Sequence, residues 1–166
     1  FKEDAGFEDE DGNMQPVFIQ ALLNTDAFKL VNQGISYVRE AQQYLNRNYV
    51  RKTGIIGLIA CNGIPDRNMS KAVIIALQYE EAGKTMNGVD GIYGNNTLNK
   101  APELALGSTK EEYVRIAQMC MMLMYNNRYV SGVYDSFFEN TVKSFQEFYC
   151  LTQDPDVRLP ASETFF

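Results

Sequence analysis

From residue 34 onward the apolar positions of the chain fall at helical spacing. Val38, Ala41, Leu45 and Tyr49 form one such row, and Val114, Ala117, Met121 and Met124 form another. Steps of three and four residues bring such positions onto one face, so each segment predicts a one-faced helix that must find a partner. A second helix is expected over residues 69–81, stopping at Gly83, and another over a stretch with Phe138, Val142, Phe145 and Tyr149 along one stripe. A brief third helix follows Asp90-Gly91-Ile92-Tyr93-Gly94-Asn95-Asn96-Thr97 and is ended by Pro102. Ahead of all of these, Phe18, Leu22 and, less regularly, Leu23, Ala27 and Phe28 predict a short helix over residues 17–30, read as the tail of an upstream domain.

The helical pattern is duplicated. Tyr37-Val38-Arg39-Glu40-Ala41-Gln42 matches Tyr113-Val114-Arg115-Ile116-Ala117-Gln118 at every position but the fourth, and Tyr49 then falls opposite Tyr125. In each copy a glycine-containing turn follows, Asn62-Gly63-Ile64-Pro65-Asp66-Arg67 in the first and Ser131-Gly132-Val133-Tyr134-Asp135 in the second. Capping boxes are expected at Ser108-Thr109-Lys110-Glu111 and Ser136-Phe137-Phe138-Glu139. The second helices share an apolar-Gln pair, Leu77-Gln78 and Phe145-Gln146, whose glutamines are expected to tie a helix to a neighbouring loop. A worn counterpart of the third element lies near residues 157–165. Methionines at 119, 121, 122 and 124 occupy several faces of one helix, which is therefore expected to be buried on both sides as the seam of a packed tandem.

Composition narrows the chemistry. The 166 residues contain no histidine, which removes serine triads, Cys-His dyads and His-ligated zinc from this chain. Carboxylate-only glycosidase chemistry survives in principle, on residues such as Glu80, Glu81, Asp90 or Asp135, but small helical units rarely form the two-carboxylate cleft it needs. Cys61, Cys120 and Cys150 each sit among apolar neighbours and read as buried free thiols. Asp9-Glu10-Asp11-Gly12-Asn13 imitates the start of an EF-hand loop but has Met14 and Gln20 where the loop needs Gly and Glu, so no metal is expected. A net charge of -6 argues against nucleic acid, and no apolar run approaches the roughly 18 residues of a membrane span. The start, Phe1-Lys2-Glu3-Asp4, resembles neither an initiator Met nor a basic signal, so the chain reads as a piece of something longer.

The residues resemble the three-helix peptidoglycan-binding domains appended to bacterial cell-wall hydrolases. Val38-Arg39-Glu40-Ala41-Gln42-Gln43-Tyr44-Leu45 looks like that family's first helix, and Asp90-Gly91-Ile92-Tyr93-Gly94-Asn95-Asn96-Thr97 is the one complete turn motif. The other turns depart from it: Asn62 and Ser131 replace the Asp, Asp66 and Asp135 stand at the second Gly, and Phe138 replaces the Thr. The resemblance implies an all-α chain of two tandem three-helix units packed together and preceded by an extra helix. Its divisions are 1–33 (lead-in and helix), 34–105 (first unit) and 106–166 (second, degenerate unit).

Function follows from the same resemblance. It implies a noncatalytic module, without cofactor, that holds peptidoglycan or a related wall glycopeptide and targets a covalently linked catalytic domain, in an extracellular, wall-facing location. The alternative is a structural module that keeps the fold and docks on a catalytic domain without binding glycan. Asp90, Gly91, Gly94 and Thr97 read as turn chemistry, since Gly permits positive φ and Asp can bond its own backbone two residues on. The candidate ligand-binding residues are Tyr93, Asn95 and Asn96 on that turn, with Arg67 and Asn68 placed beside it, because amides and an aromatic ring suit a polymer of amino sugars and peptides. Tyr93 has a competing reading as an aromatic plug over the core, which the similar Tyr134 favours.

Overall fold

The computed structural model describes residues 33–125 and 127–149, together with single positions at 13, 14, 16 and 19. Most of the expected helix over 17–30, the acidic stretch 9–12, Cys150 and the element near 157–165 lie outside the described residues. The described residues are helical, with no strand among them. Helix α1 is Ser36–Leu45, continued by a π-helical turn, Asn46–Val50, and a last turn, Arg51–Thr53. Then come α2 (Arg67–Glu81), α3 (Asn95–Lys100), α4 (Glu111–Tyr125) and α5 (Ser136–Phe148). Two compact units divide between Ile92 and Tyr93, whereas the repeat boundary in the sequence keeps the third element with the first copy.

In the first unit the apolar row foreseen along α1 is buried: Val38, Ala41 and Leu45, followed by Tyr49 and Val50 in the π-helical turn. Met69, Ala72, Val73, Ile75 and Ala76 of α2 are buried with them. Each large side chain removed from water in this way contributes roughly 1.5 to 3 kcal/mol. Tyr49 keeps its hydroxyl satisfied by donating to Glu80 at 3.0 Å, and its ring meets Tyr79 edge-on at 6.0 Å. The buried Asn46 carboxamide both donates to the carbonyl and accepts from the N–H of Ile59, each at 2.9 Å, and so fixes the loop that leaves α1.

In the second unit Val114 of α4, Tyr134 and Phe138 of α5 form the buried cluster, against which Leu104, Ala117, Met121 and Val142 pack. The Tyr134 and Phe138 rings meet edge-on with centroids 4.9 Å apart. Met119 and Met122 are buried, but Met124 is 53% exposed, which corrects the expectation that the methionines of this helix are buried on both of its sides. At 100° per residue Met124 lies about 140° and 160° around the axis from the two buried methionines, and that face is left to water.

The caps correct the sequence reading. Neither Ser-based capping box forms. Ser136 is the first helical residue of α5, and the cap is Asp135, whose carboxylate accepts the N–H of Phe138 at 2.8 Å. Asp66 does the same for Met69 at 2.8 Å, so α2 begins at Arg67 and not at residue 69. A carboxylate one residue earlier, on extended backbone, reaches the free N–H groups of the first turn and complements the positive end of the helix dipole. At α4, Glu111 is paired with Arg115 instead of turning back to Ser108. Replacing Asp135 by Ala is expected to lower unfolding stability by about 1 kcal/mol, and Ser136→Ala to change it by less than about 0.5 kcal/mol; urea titrations of the two variants check the assignment.

Candidate functional site

The turns that the resemblance singled out are held by one recurring device, a glutamine from the preceding helix. Gln78 of α2 accepts the N–H groups of Asp90 and Gly91 on Oε1, at 3.1 and 2.8 Å. Its Nε2 donates to the Asp90 carboxylate and to the Ile92 carbonyl, both at 2.9 Å. Gln118 of α4 repeats the arrangement: Oε1 takes the N–H of Ser131 and Gly132 at 2.8 and 2.9 Å, and Nε2 donates to Ser131 Oγ at 3.2 Å and the Val133 carbonyl at 3.0 Å. Gln42 of α1 takes the Gly63 N–H at 2.9 Å and donates to Asn62 Oδ1 and the Ile64 carbonyl, at 3.3 and 2.9 Å. In each turn the first side chain closes back on the backbone two residues on, with Asn62, Asp90 and Ser131 accepting from Ile64, Ile92 and Val133 at 2.9, 2.8 and 3.1 Å.

The central glycines are required by both conformation and space. Gly91 and Gly132 have φ of +74° and +80°, which a side chain rarely adopts. A Cβ on Gly91 would stand 2.9 Å from the Lys71 side chain and 3.1 Å from Ile75, and one on Gly132 would stand 2.6 Å from Glu111. The turn therefore lies flat on its helix. Three residues after each central glycine comes Asp66, Gly94 or Asp135, the caps of α2, α3 and α5. The aspartates that replaced the motif's second Gly are working caps, while Gly94 caps α3 without a side chain.

Both backbone groups of the residue after the glycine are consumed by the clamp, and its side chain is left outside. Ile92 is 67% exposed, and Ile64 and Val133 are exposed as well. Tyr93 follows at 37% exposure, then Asn95 and Asn96, also exposed, on the first turn of α3. The plug reading thus holds for Tyr134, at 8% exposure, and not for Tyr93. Tyr93, Asn95 and Asn96 are brought together by the turn, in the second unit. Arg67 and Asn68, exposed, open α2 in the first unit. Sequence reading expected loop ties from Gln78 and Gln146, of which only that of Gln78 is seen among the described residues, and passed over Gln42 and Gln118, although their identity in the duplication was the available signal.

The titratable groups here serve the turns. The Asp90 carboxyl is held below the usual carboxylate range by the Ile92 N–H, then by Gln78, with a smaller attraction from Lys71. Desolvation, and secondarily Glu139, pushes the Tyr134 phenol up, in keeping with a neutral plug. Burial pushes the Cys120 thiol up to about 11; it and Cys61 are free thiols. Asp135 and Asp90, two of the carboxylates open to glycosidase chemistry by composition, are occupied as a cap and as a turn closure. Among the described residues no group of acidic and cysteine side chains is placed to hold a metal ion, and no helix is long and apolar enough to cross a membrane.

A family model described as FadG/YbfG, PGDB-like domain matches residues 31–160. The uncharacterized protein YbfG of Bacillus subtilis strain 168 is 37% identical over 163 residues, covering 96% of this chain and 22% of YbfG. The uncharacterized protein FadG of the same strain is 32% identical over 150 residues, covering 89% of this chain and 26% of FadG. The chain thus spans about a quarter of the length of these curated relatives. No solved structure matches.

Two measurements test the clamps. Gln118→Leu leaves two N–H groups and a carbonyl unmatched and is expected to cost about 2 to 3 kcal/mol in urea unfolding. For Asp90 the folded pKa lies below the unfolded value, so its stabilisation is present above about pH 4 and is lost as pH falls through the lowered folded value. Asp90→Asn, which installs the amide already found at Asn62, should melt below the parent at neutral pH, and the gap between the two melting temperatures should close on acidification.

Proposed function

The chain belongs to the FadG/YbfG family of PGDB-like domains, a peptidoglycan-binding-like family, and from that premise we propose that it is a noncatalytic module that holds cell-wall peptidoglycan for an attached enzyme. The observation that carries the reading is the presentation of Ile92, Tyr93, Asn95 and Asn96: an apolar, an aromatic and two amide side chains exposed on and just after a turn whose backbone is fixed by Gln78. A preorganised turn loses little freedom when it binds, and an apolar side chain beside amides suits a sugar ring with acetamido and peptide groups. The two repeats then act as tandem three-helix units, with the third element of the first copy supplying the binding edge.

The net charge of -6 sets the mode of binding. An acidic module gains no long-range attraction to an anionic wall, so short-range hydrogen bonds and stacking carry the affinity. The proposed location is extracellular and wall-facing, and the proposed partner is a catalytic domain in the remainder of a longer chain, as the partial coverage of YbfG and FadG permits.

A second reading, docking on a neighbouring domain without glycan, is favoured by the exposed Val133, Phe137 and Phe148 of the second unit. Pull-down on purified sacculi separates the two. Wall binding predicts weak retention that changes little from about 50 to about 500 mM salt and falls at least about threefold in Tyr93→Ala and Asn96→Ala without loss of melting temperature. Absence of retention at every salt concentration defeats the wall-binding reading and leaves docking. Turnover of labelled muropeptides by the purified chain would overturn both.

A further inference from the structure

Among the described residues, three dipeptides place a carboxamide or carboxyl side chain directly before a glycine: Asn62-Gly63, Asn87-Gly88 and Asp90-Gly91. Such a pair is reactive in a solvated chain, because the glycine nitrogen can reach the preceding Cγ and no Cβ hinders its approach. At Asn62 and Asp90 the glutamine clamp engages both partners of that reaction. The buried Gly63 N–H donates to Gln42 Oε1 at 2.9 Å, while Asn62 Oδ1 accepts from the Ile64 N–H at 2.9 Å and from Gln42 Nε2 at 3.3 Å. The Gly91 N–H is likewise spent on Gln78 Oε1 at 2.8 Å, and the Asp90 carboxylate on the Ile92 N–H and Gln78 Nε2. Asn87-Gly88 has neither restraint. Both residues are exposed, and among the described residues neither the Asn87 carboxamide nor the Gly88 N–H makes a hydrogen bond. The turn that contains them is closed by the Val89 N–H donating to the Met86 carbonyl at 3.3 Å, a long bond in an exposed turn that opens locally at little cost.

We propose that Asn87 is a site of spontaneous deamidation, and that the glutamine clamps withhold Asn62 and Asp90 from the same chemistry. In base the Gly88 nitrogen gives up its proton and attacks Asn87 Cγ. A bond forms between that nitrogen and Cγ, the Cγ–Nδ2 bond breaks, and ammonia departs carrying a proton returned from solvent. Water then opens the cyclic imide at either carbonyl, leaving aspartate, or isoaspartate in which the main chain runs through Cβ and Cγ. Each product has a carboxylate where the chain had a neutral amide, and isoaspartate adds a carbon to the main chain between Met86 and Val89. Loss of ammonia makes the change irreversible, so it accumulates with the age of the chain. At Asn62 the same attack requires Gly63 to leave Gln42 and Asn62 to release Ile64, so the folded state keeps the reactive fraction small. At Asp90 the leaving group would be water, which requires a protonated carboxyl, and the Ile92 N–H and Gln78 hold that carboxyl ionised. All three pairs lie in the first unit, and their chemistry stands apart from wall binding.

The test is peptide mapping by mass spectrometry of the full chain after timed incubation in mildly alkaline buffer, folded and in guanidinium chloride. The folded chain is expected to convert Asn87 to aspartate and isoaspartate at nearly the unfolded rate, and Asn62 at least about tenfold more slowly than Asn87. In guanidinium the two asparagines should react at comparable rates, because only the shared Asn-Gly context then remains. Asn87→Gln should abolish the acidic variant that the folded parent develops, while melting as the parent does. Gln42→Leu, where circular dichroism shows it folded, should raise the Asn62 rate about tenfold and leave the Asn87 rate unchanged. An Asn87 that reacts at least about tenfold more slowly in the folded than in the unfolded chain would overturn the site. Equal rates at Asn62 and Asn87 in the folded parent, or an unchanged Asn62 rate in folded Gln42→Leu, would overturn the protection. Should Gln42→Leu not fold, the comparison of folded with unfolded parent decides.

Discussion

A glutamine carboxamide presents an N–H donor and a carbonyl acceptor side by side, much as a peptide unit does, and this chain uses that likeness to hold turns among described residues that include no strand. An all-helical unit has no sheet on which a connecting segment can pair, yet each such segment carries N–H and carbonyl groups that cannot be buried bare without a cost of about 1 to 3 kcal/mol each. Gln42, Gln78 and Gln118 meet those groups from the helix side. Position follows from this contact: the glycine lies flat on the helix, the next residue is extended, and the cap of the following helix stands three residues beyond the glycine. The direction in which α2 and α5 depart is thereby set relative to the helix that carries the clamp.

The same constraint separates stability from recognition. Because the clamp uses the backbone of Ile64, Ile92 and Val133, their side chains are free to face water without loosening the turn. Aromatic residues that follow can then be assigned differently in different copies. Tyr134 turns inward against Phe138 and closes the core of the second unit, while Tyr93 stays exposed beside Asn95 and Asn96. One scaffold thus supports a packed turn and a displayed one.

Much of this was legible in the sequence. The helical rows, the duplication, the turn motif, the inward Tyr134 and the tie made by Gln78 could all be read from spacing, because helix faces and glycine turns are local properties. The caps were misassigned: Ser136 and Asp135 are both good capping residues one position apart, and only the extended backbone at Asp135 chooses between them. Met124 was placed inside because periodicity reports which residues share a face, not which faces acquire a neighbour. The patch proposed from residues far apart in sequence fared as such patches do: Tyr93, Asn95 and Asn96 are adjacent by local geometry, while Arg67 and Asn68 belong to another unit.

The sequence by itself determined an all-helical duplicated chain with glycine turns, no histidine chemistry and an acidic surface, since each of these depends on residue type and short-range order. Tertiary structure decided that Gln42 and Gln118 hold turns, and that the aspartates at 66 and 135 are caps and not eroded motif positions. The physical reason is that a hydrogen bond from a helix to a turn 12 to 22 residues away is specified by how the chain closes on itself, and a carboxamide looks the same in sequence whether it meets a peptide or water.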